Sequence, residues 1–224
     1  MGERAIAGGD TMSVAEFQIA YNGPAMAAHT MDVQELGPAL LAIGDLCREA
    51  SQVINGDRVS SVKVRVKANF REGCFDITFE LVEMFRRVSE LLDSSDAVTA
   101  KNLLEWLGLV SAPFITYFGV LKWKKGRAIK TVEQTTDKTG GVAYNITVEG
   151  EKSTIQISSP VYNLYQSTRV RQAHQGMVAP LAAEGIDRIE VREKGRVISE
   201  LTKEEYESGS FNVIPAEISP EEEL

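Results

Sequence analysis

Two histidines, two cysteines and a scatter of carboxylates are the material this chain of 224 residues offers to chemistry. His29 and His174 lie in different halves of the sequence, and neither has a histidine or cysteine at metal-ligand spacing, so no metal site and no cofactor are expected. Cys47 and Cys74 share no motif and read as reduced, structural thiols, the usage of a reducing, cytosolic compartment. Asp45, Glu49 and Glu72 form no recognisable acid–base pair, and there is no glycine-rich phosphate loop, GxSxG elbow or HExxH. Nothing here points to an enzyme. A hydrolase assembled from carboxylates of distant segments is the least supported reading.

Two basic sets are weak candidates for anion binding. Lys63, Arg65 and Lys67, with Arg71 beyond them, share the polar side of "VSSVKVRVKANFREGCFDITFELV". A basic stripe on a sheet could hold phosphates or a nucleic-acid backbone. Yet if Phe70 pairs with Phe75, Arg65 falls opposite Glu80 and Asp76 lies diagonal to Lys67, an arrangement that stabilises sheets without any ligand. No aromatic residues interleave to stack bases. The second set, Arg169 and Arg171 in "RVRQAH", fits an anion-binding helix face or an ordinary solvated one.

The run "LLEWLGLVSAPFITYFGVLKWKKGR", Leu103 to Arg127, is the most unusual stretch. Its 16 residues from Trp106 to Leu121 carry no charge, and Lys122, Lys124, Lys125 and Arg127 follow. That is short of the roughly 20 residues of a membrane span, though tryptophan among lysines is what an interfacial anchor looks like. Pro113 divides it into two short helices, a helical hairpin able to fill a core or form a subunit contact. Leu103, Leu107, Phe114, Ile115, Phe118, Leu121 and Trp123 are the residues expected at an interface or membrane contact. Phe114, Ile115, Phe118 and Leu121 are all expected to be covered, by protein or by lipid.

The elements that would position these groups follow from periodicity. "EFQIAY" reads as a strand. Val33, Leu36, Leu40, Ile43, Cys47, Ala50 and Ile54 recur at helical spacing up to Asn55-Gly56, with the regular helix expected to start at Gly37 because of Pro38. Val62, Val64, Val66, Ala68 and Phe70 alternate, as do Phe75, Ile77, Phe79 and Leu81, giving a hairpin with one buried face under the helix. A helix is expected from about Val82 to Asp93, and Ser94–Asp96 would cap the next. "TVEQTTDKTGG", 131–141, reads as a linker. A second set follows: a hairpin through "VAYNITVEG" and "STIQIS", one helix carrying Val161, Leu164, Thr168, Ala173, Met177 and Leu181, and a last hairpin around Lys194-Gly195. The fold class is α+β, two β-hairpin-plus-long-helix halves joined by a helical middle segment. The expected divisions are a loose leader 1–15, an N-terminal half 16–93, the apolar segment 94–130 with its basic flank, the linker, a C-terminal half 142–202 and an acidic tail 203–224.

Charge adds little about partners. The net charge of −8 is concentrated at the C-terminal end, where eight glutamates face one lysine after position 199, so a nucleic-acid-binding body is not favoured. No secretory signal is read at the N-terminus.

The runs "MDVQELGPALLAIGDL", "VKVRVKANFREGCFDITFEL", "LLEWLGL…VLKWKKGR" and "VRQAH…APLAAEGIDRIEVRE" resemble a group of uncharacterised bacterial prophage and mobile-element proteins, over about residues 16–200. Its hallmarks are packing patterns and turns, so it transfers no site residue; it implies a role in phage–host conflict or a mobile element. The expectation is a non-enzymatic interaction protein that self-associates through the apolar segment as a homo-oligomer, or meets a protein partner there. It would be cytoplasmic, or peripheral to the inner face of the membrane. Two alternatives stay open: a nucleotide- or nucleic-acid-binding regulator using the basic strand and helix faces, and a membrane-associated protein using residues 103–127.

Overall fold

Thr11–Asn22 alternates so that Ala15, Phe17, Ile19 and Tyr21 share one side, and in the computed structural model all four are buried along a single long strand. The structure describes residues 4–5, 11–28, 30–56, 60–67, 75–85 and 98–209. His29, Ala68, Phe70, Arg71, Glu72, Cys74, the Ser94–Asp96 cap and the residues beyond 209 lie outside them. The elements in chain order are β1 (Arg4–Ala5), β2 (Thr11–Asn22), α1 (Val33–Asn55), β3 (Ser60–Lys67), β4 (Phe75–Phe85), α2 (Ala100–Leu107) and α3 (Tyr117–Lys124). There follow β5 (Ile129–Thr136), β6 (Val142–Val148), β7 (Thr154–Ser158), α4 (Ser159–Gln166), α5 (Thr168–Val178), β8 (Arg188–Glu193), β9 (Arg196–Thr202) and α6 (Lys203–Glu207).

The class is α+β, with two antiparallel sheets. The larger has the order β3-β4-β2-β8-β9, with β1 added on β2, and the smaller is the meander β5-β6-β7. The hairpin expected in the N-terminal half and the last hairpin of the chain therefore meet in one sheet, while the β6–β7 hairpin belongs to the other. β2 is the seam, paired with β4 on one side and with β8 on the other. Its inner face is a core layer in which Phe17 stacks on its cross-strand partner Phe79 at 5.1 Å.

α1 begins at Val33, earlier than Pro38 would suggest. Asp32 caps it by accepting the Gln34 amide at 2.8 Å, and the bond that Pro38 forfeits belongs to the carbonyl of Gln34, which is exposed. The buried side of the helix is Ala39, Ala42, Ile43, Leu46, Cys47 and Ala50, while Val33, expected in the apolar stripe, is 75% exposed. Small residues let α5 come close: a Cβ on Gly176 would lie 2.7 Å from that of Ala42.

The β3–β4 register pairs Arg65 with Glu80, as the assumed pairing of Phe70 with Phe75 required. Ile77, Phe79 and Leu81 are buried, Val62 and Val64 half-buried, and Val66 is 55% exposed. Val66 sits one residue from the end of an edge strand, which explains its departure from the expected burial. Four other expectations are corrected. Val82–Phe85 continues β4, because each residue finds a partner on β2. The cap of α2 is Thr99, in a capping box with Asn102. The stretch 131–136 belongs to β5, its β-branched residues paired with β6, and only Asp137–Gly141 turns. The C-terminal helix is broken at Ser167 into α4 and α5.

Candidate functional site

The 103–127 segment is folded into the chain's own core. α2 turns its Leu103, Leu104 and Leu107 side inward, and each is 0% exposed. Gly108 ends the helix at φ 91, a conformation that suits glycine. A side chain there would also put its Cβ 2.5 Å from Thr116 Oγ1. That same hydroxyl caps α3 by accepting the Gly119 amide at 3.1 Å. The loop 109–116 is thus held between two helix caps that touch. α3 then buries Tyr117, Phe118, Val120 and Leu121. Of the seven residues expected at a contact surface, Leu103, Leu107, Phe118 and Leu121 are buried within the chain, and Ile115 and Trp123 are partly buried against the core. Phe114 departs from the expectation that it be covered: it lies in the loop between the two helices and is 39% exposed.

The basic flank is also engaged internally. Arg127 Nη1 pairs with Glu151 at 2.8 Å, while its Nε and Nη2 donate to the carbonyls of Lys124 and Trp123, closing the C-terminus of α3. Lys122 Nζ donates to the Glu200 carbonyl at 3.1 Å and lies 3.6 Å from Glu205. Lys124 is 3% exposed. Among the described residues no helix is long and apolar enough to cross a membrane.

Between α3, α5 and the inner side of β8 and β9 lies a small apolar cleft lined by Phe118, His174, Met177, Val178, Ile189 and Val191. Its interior is about 20 Å³, near the room of one water and far below the several hundred Å³ of a substrate pocket. His174 stacks on Phe118 at 4.8 Å and meets the edge of Tyr117 at 5.6 Å. Burial pulls its pKa down to about 3, so the ring is a neutral core group at pH 7.

The first basic set behaves as a sheet face. Arg65 Nη1 reaches Glu80 at 3.4 Å, and Lys67 binds both Glu16 and Glu80. Asp76 pairs with Arg192 at 3.1 Å and not diagonally with Lys67; Arg192 also holds Glu190, which Arg188 grips from its other side. Burial acts to raise the Glu190 pKa, and the hydrogen bonds and charges of Arg188 and Arg192 outweigh it and leave the carboxyl below its usual range. Lys63 is exposed.

The second set splits. Arg169 is on the surface, 77% exposed and 3.8 Å from Glu49, whereas Arg171 is 4% exposed. The residues i and i+2 of a helix face different ways, and that spacing was legible in "RVRQ".

A buried polar cluster went unread in the sequence. Glu83 is 0% exposed, and its Oε1 accepts the Ser51 hydroxyl at 3.0 Å and the Asn55 amide at 2.9 Å. Alternation would have placed Glu83 beside Leu81 on the inner face had β4 been extended past Leu81. Among the described residues no cluster of three or more His, Cys, Asp or Glu is placed to hold a metal ion. Comparisons with protein families, with curated proteins and with solved structures find no match to the chain.

Proposed function

We propose that the chain is a non-enzymatic interaction protein that binds a second copy of itself through the loop 111–116, with Phe114 as the anchor, in the mobile-element or phage–host setting its sequence resemblance implies. The exposure of Phe114 carries the reading. An aromatic ring 39% exposed on a loop pinned by touching helix caps is presented at little cost in lost freedom. Ser111 adds a third restraint, its amide donating to Glu193 Oε2 at 3.4 Å. Aromatic anchors of this kind dominate interface energetics. The rest of the apolar segment supports the loop from within the core.

Sizing of the purified chain across concentration, by sedimentation or light scattering, tests this. Self-association that weakens in Phe114→Asp, with the circular dichroism of the fold retained, is the expected result. A wild-type chain that stays monomeric at high micromolar concentration overturns it, as does an oligomer indifferent to Phe114→Asp.

A further inference from the structure

The first turn of α5 holds a buried positive charge. Arg171 is 4% exposed, and among the described residues no carboxylate pairs with it. Its guanidinium carbon lies 5.9 Å from the centre of the Tyr165 ring, Nη2 donates to Thr168 Oγ1 at 3.2 Å, and Nε has no acceptor. The Tyr117 hydroxyl nearby is buried without a partner as well. Burial raises the Tyr117 pKa and the charge of Arg171 offsets part of that rise, which marks the two groups as neighbours. A guanidinium taken from water with a donor unfilled is an expensive arrangement, and a nearby anion would offset its charge.

The break at Ser167 supplies further donors at the same place. The Ser167 amide turns back to the carbonyls of Asn163 and Leu164, its hydroxyl accepts from the Val170 amide, and its carbonyl accepts from the Arg171 amide. The amides of Thr168 and Arg169, first in α5, are left with no carbonyl behind them. Both residues are exposed, so this end opens to solvent. Two free amides and the Thr168 hydroxyl, which the Arg171 guanidinium reaches through Nη2, therefore sit at the positive end of an eleven-residue helix.

We propose that this end of α5 is an oxyanion site that takes a phosphate group on the amides of Thr168 and Arg169, the Thr168 hydroxyl and the Arg171 guanidinium. A phosphate monoester or a terminal diphosphate brings three free oxygens and up to two negative charges to these donors, more charge than a carboxylate offers. Arg169, held only loosely by Glu49, can swing onto the anion. The site uses no residue of the 111–116 loop, so neither proposal depends on the other.

Titration of the isotope-labelled chain with inorganic phosphate at constant ionic strength, followed by amide NMR, is the test. Saturable shifts at Thr168 and Arg169 are expected, with none from chloride. Arg171→Gln, shown by its spectrum to be folded, should weaken the response by roughly tenfold or more, and Thr168→Val by a few-fold. Where Arg171→Gln does not fold, Arg171→Lys takes its place, keeping the charge and losing the fork. A response that never saturates, or one left unchanged by Thr168→Val and by the folded Arg171 variant, overturns the site. Adenosine diphosphate and phosphatidic-acid vesicles, run against the same variants, tell a soluble phosphorylated molecule from a lipid headgroup.

Discussion

Glu83 accepts the Ser51 hydroxyl at 3.0 Å inside the contact between β4 and α1, and its second oxygen has no partner. Burial raises its pKa, and the bonds from Ser51 and Asn55 restrain the rise, to about 7 from 4.5. The folded chain therefore keeps a proton that the unfolded chain releases, and stability falls as pH rises from about 4.5 to about 7. His174 works the other way. Its pKa of about 3, against 6.5 when unfolded, means that stability falls as pH drops below 6.5. Between pH 4.5 and 6.5 the two slopes oppose each other, each approaching about 1.4 kcal/mol per pH unit.

Glu83→Gln should expose the histidine slope, with stability climbing as pH approaches 6.5. His174→Gln should expose the opposite one, with stability declining from pH 4.5 to 7. Urea unfolding of both variants and the parent at closely spaced pH values measures this. If all three profiles run parallel, neither group titrates as assigned.

Within the apolar segment, neighbouring phenylalanines should differ sharply. Phe118, 7% exposed and stacked on His174, should cost about 3–5 kcal/mol when cut to alanine. Phe114→Ala should cost under about 0.5 kcal/mol in dilute solution, where no second copy covers it. Equal losses in urea melts would mean that Phe114 is part of the core.

Gly108→Ala should destabilise by more than about 1 kcal/mol, because a Cβ there meets the Thr116 hydroxyl and the backbone is left-handed. Removing that hydroxyl in Thr116→Val costs the α3 cap, about 1 kcal/mol. Because the two residues touch, the double variant should lose less than the two single losses added together. A tolerated Gly108→Ala in thermal unfolding would refute the loop description.

On the outer sheet face, Asp76→Ala should cost about 2–3 kcal/mol, since it removes a carboxylate 3.1 Å from Arg192, whose side chain is 17% exposed. Arg65→Ala should stay under about 1 kcal/mol, because its 3.4 Å pair with Glu80 is solvated at the arginine end. Chemical denaturation separates the two, and a similar cost for both would show that burial does not grade this face.

The parts of the fold that could be read ahead of the structure were those set by local period. Phe79, Leu81 and Ile43 announced their buried faces, and Arg65 opposite Glu80 followed from one hairpin register. What could not be read depended on contacts distant in sequence. Nothing near Val82 says that Val14 waits to pair with it, so β4 looked too short and Glu83 was missed. The partner of Asp76 lies 116 residues away, beyond any diagonal rule. For the candidate sites, sequence chose Phe114 and Arg171 among others, and only the loop caps and the Ser167 break separate these two from the residues around them.

The seam at β2 also bears on how the chain is made. Its partner β4 leaves the ribosome early, but β8 lies more than 160 residues behind it, and at about 5–20 residues per second that is a wait of many seconds. Throughout that interval the sheet built from β2, β3 and β4 has an unpaired strand at what will become its middle, with Ile19 and Tyr21 awaiting cover. An open edge of this kind invites pairing with another nascent chain. Glu16 and Gln18, which alternate with its apolar row, would then matter most before the molecule is finished, as guards of an edge that the completed protein no longer has.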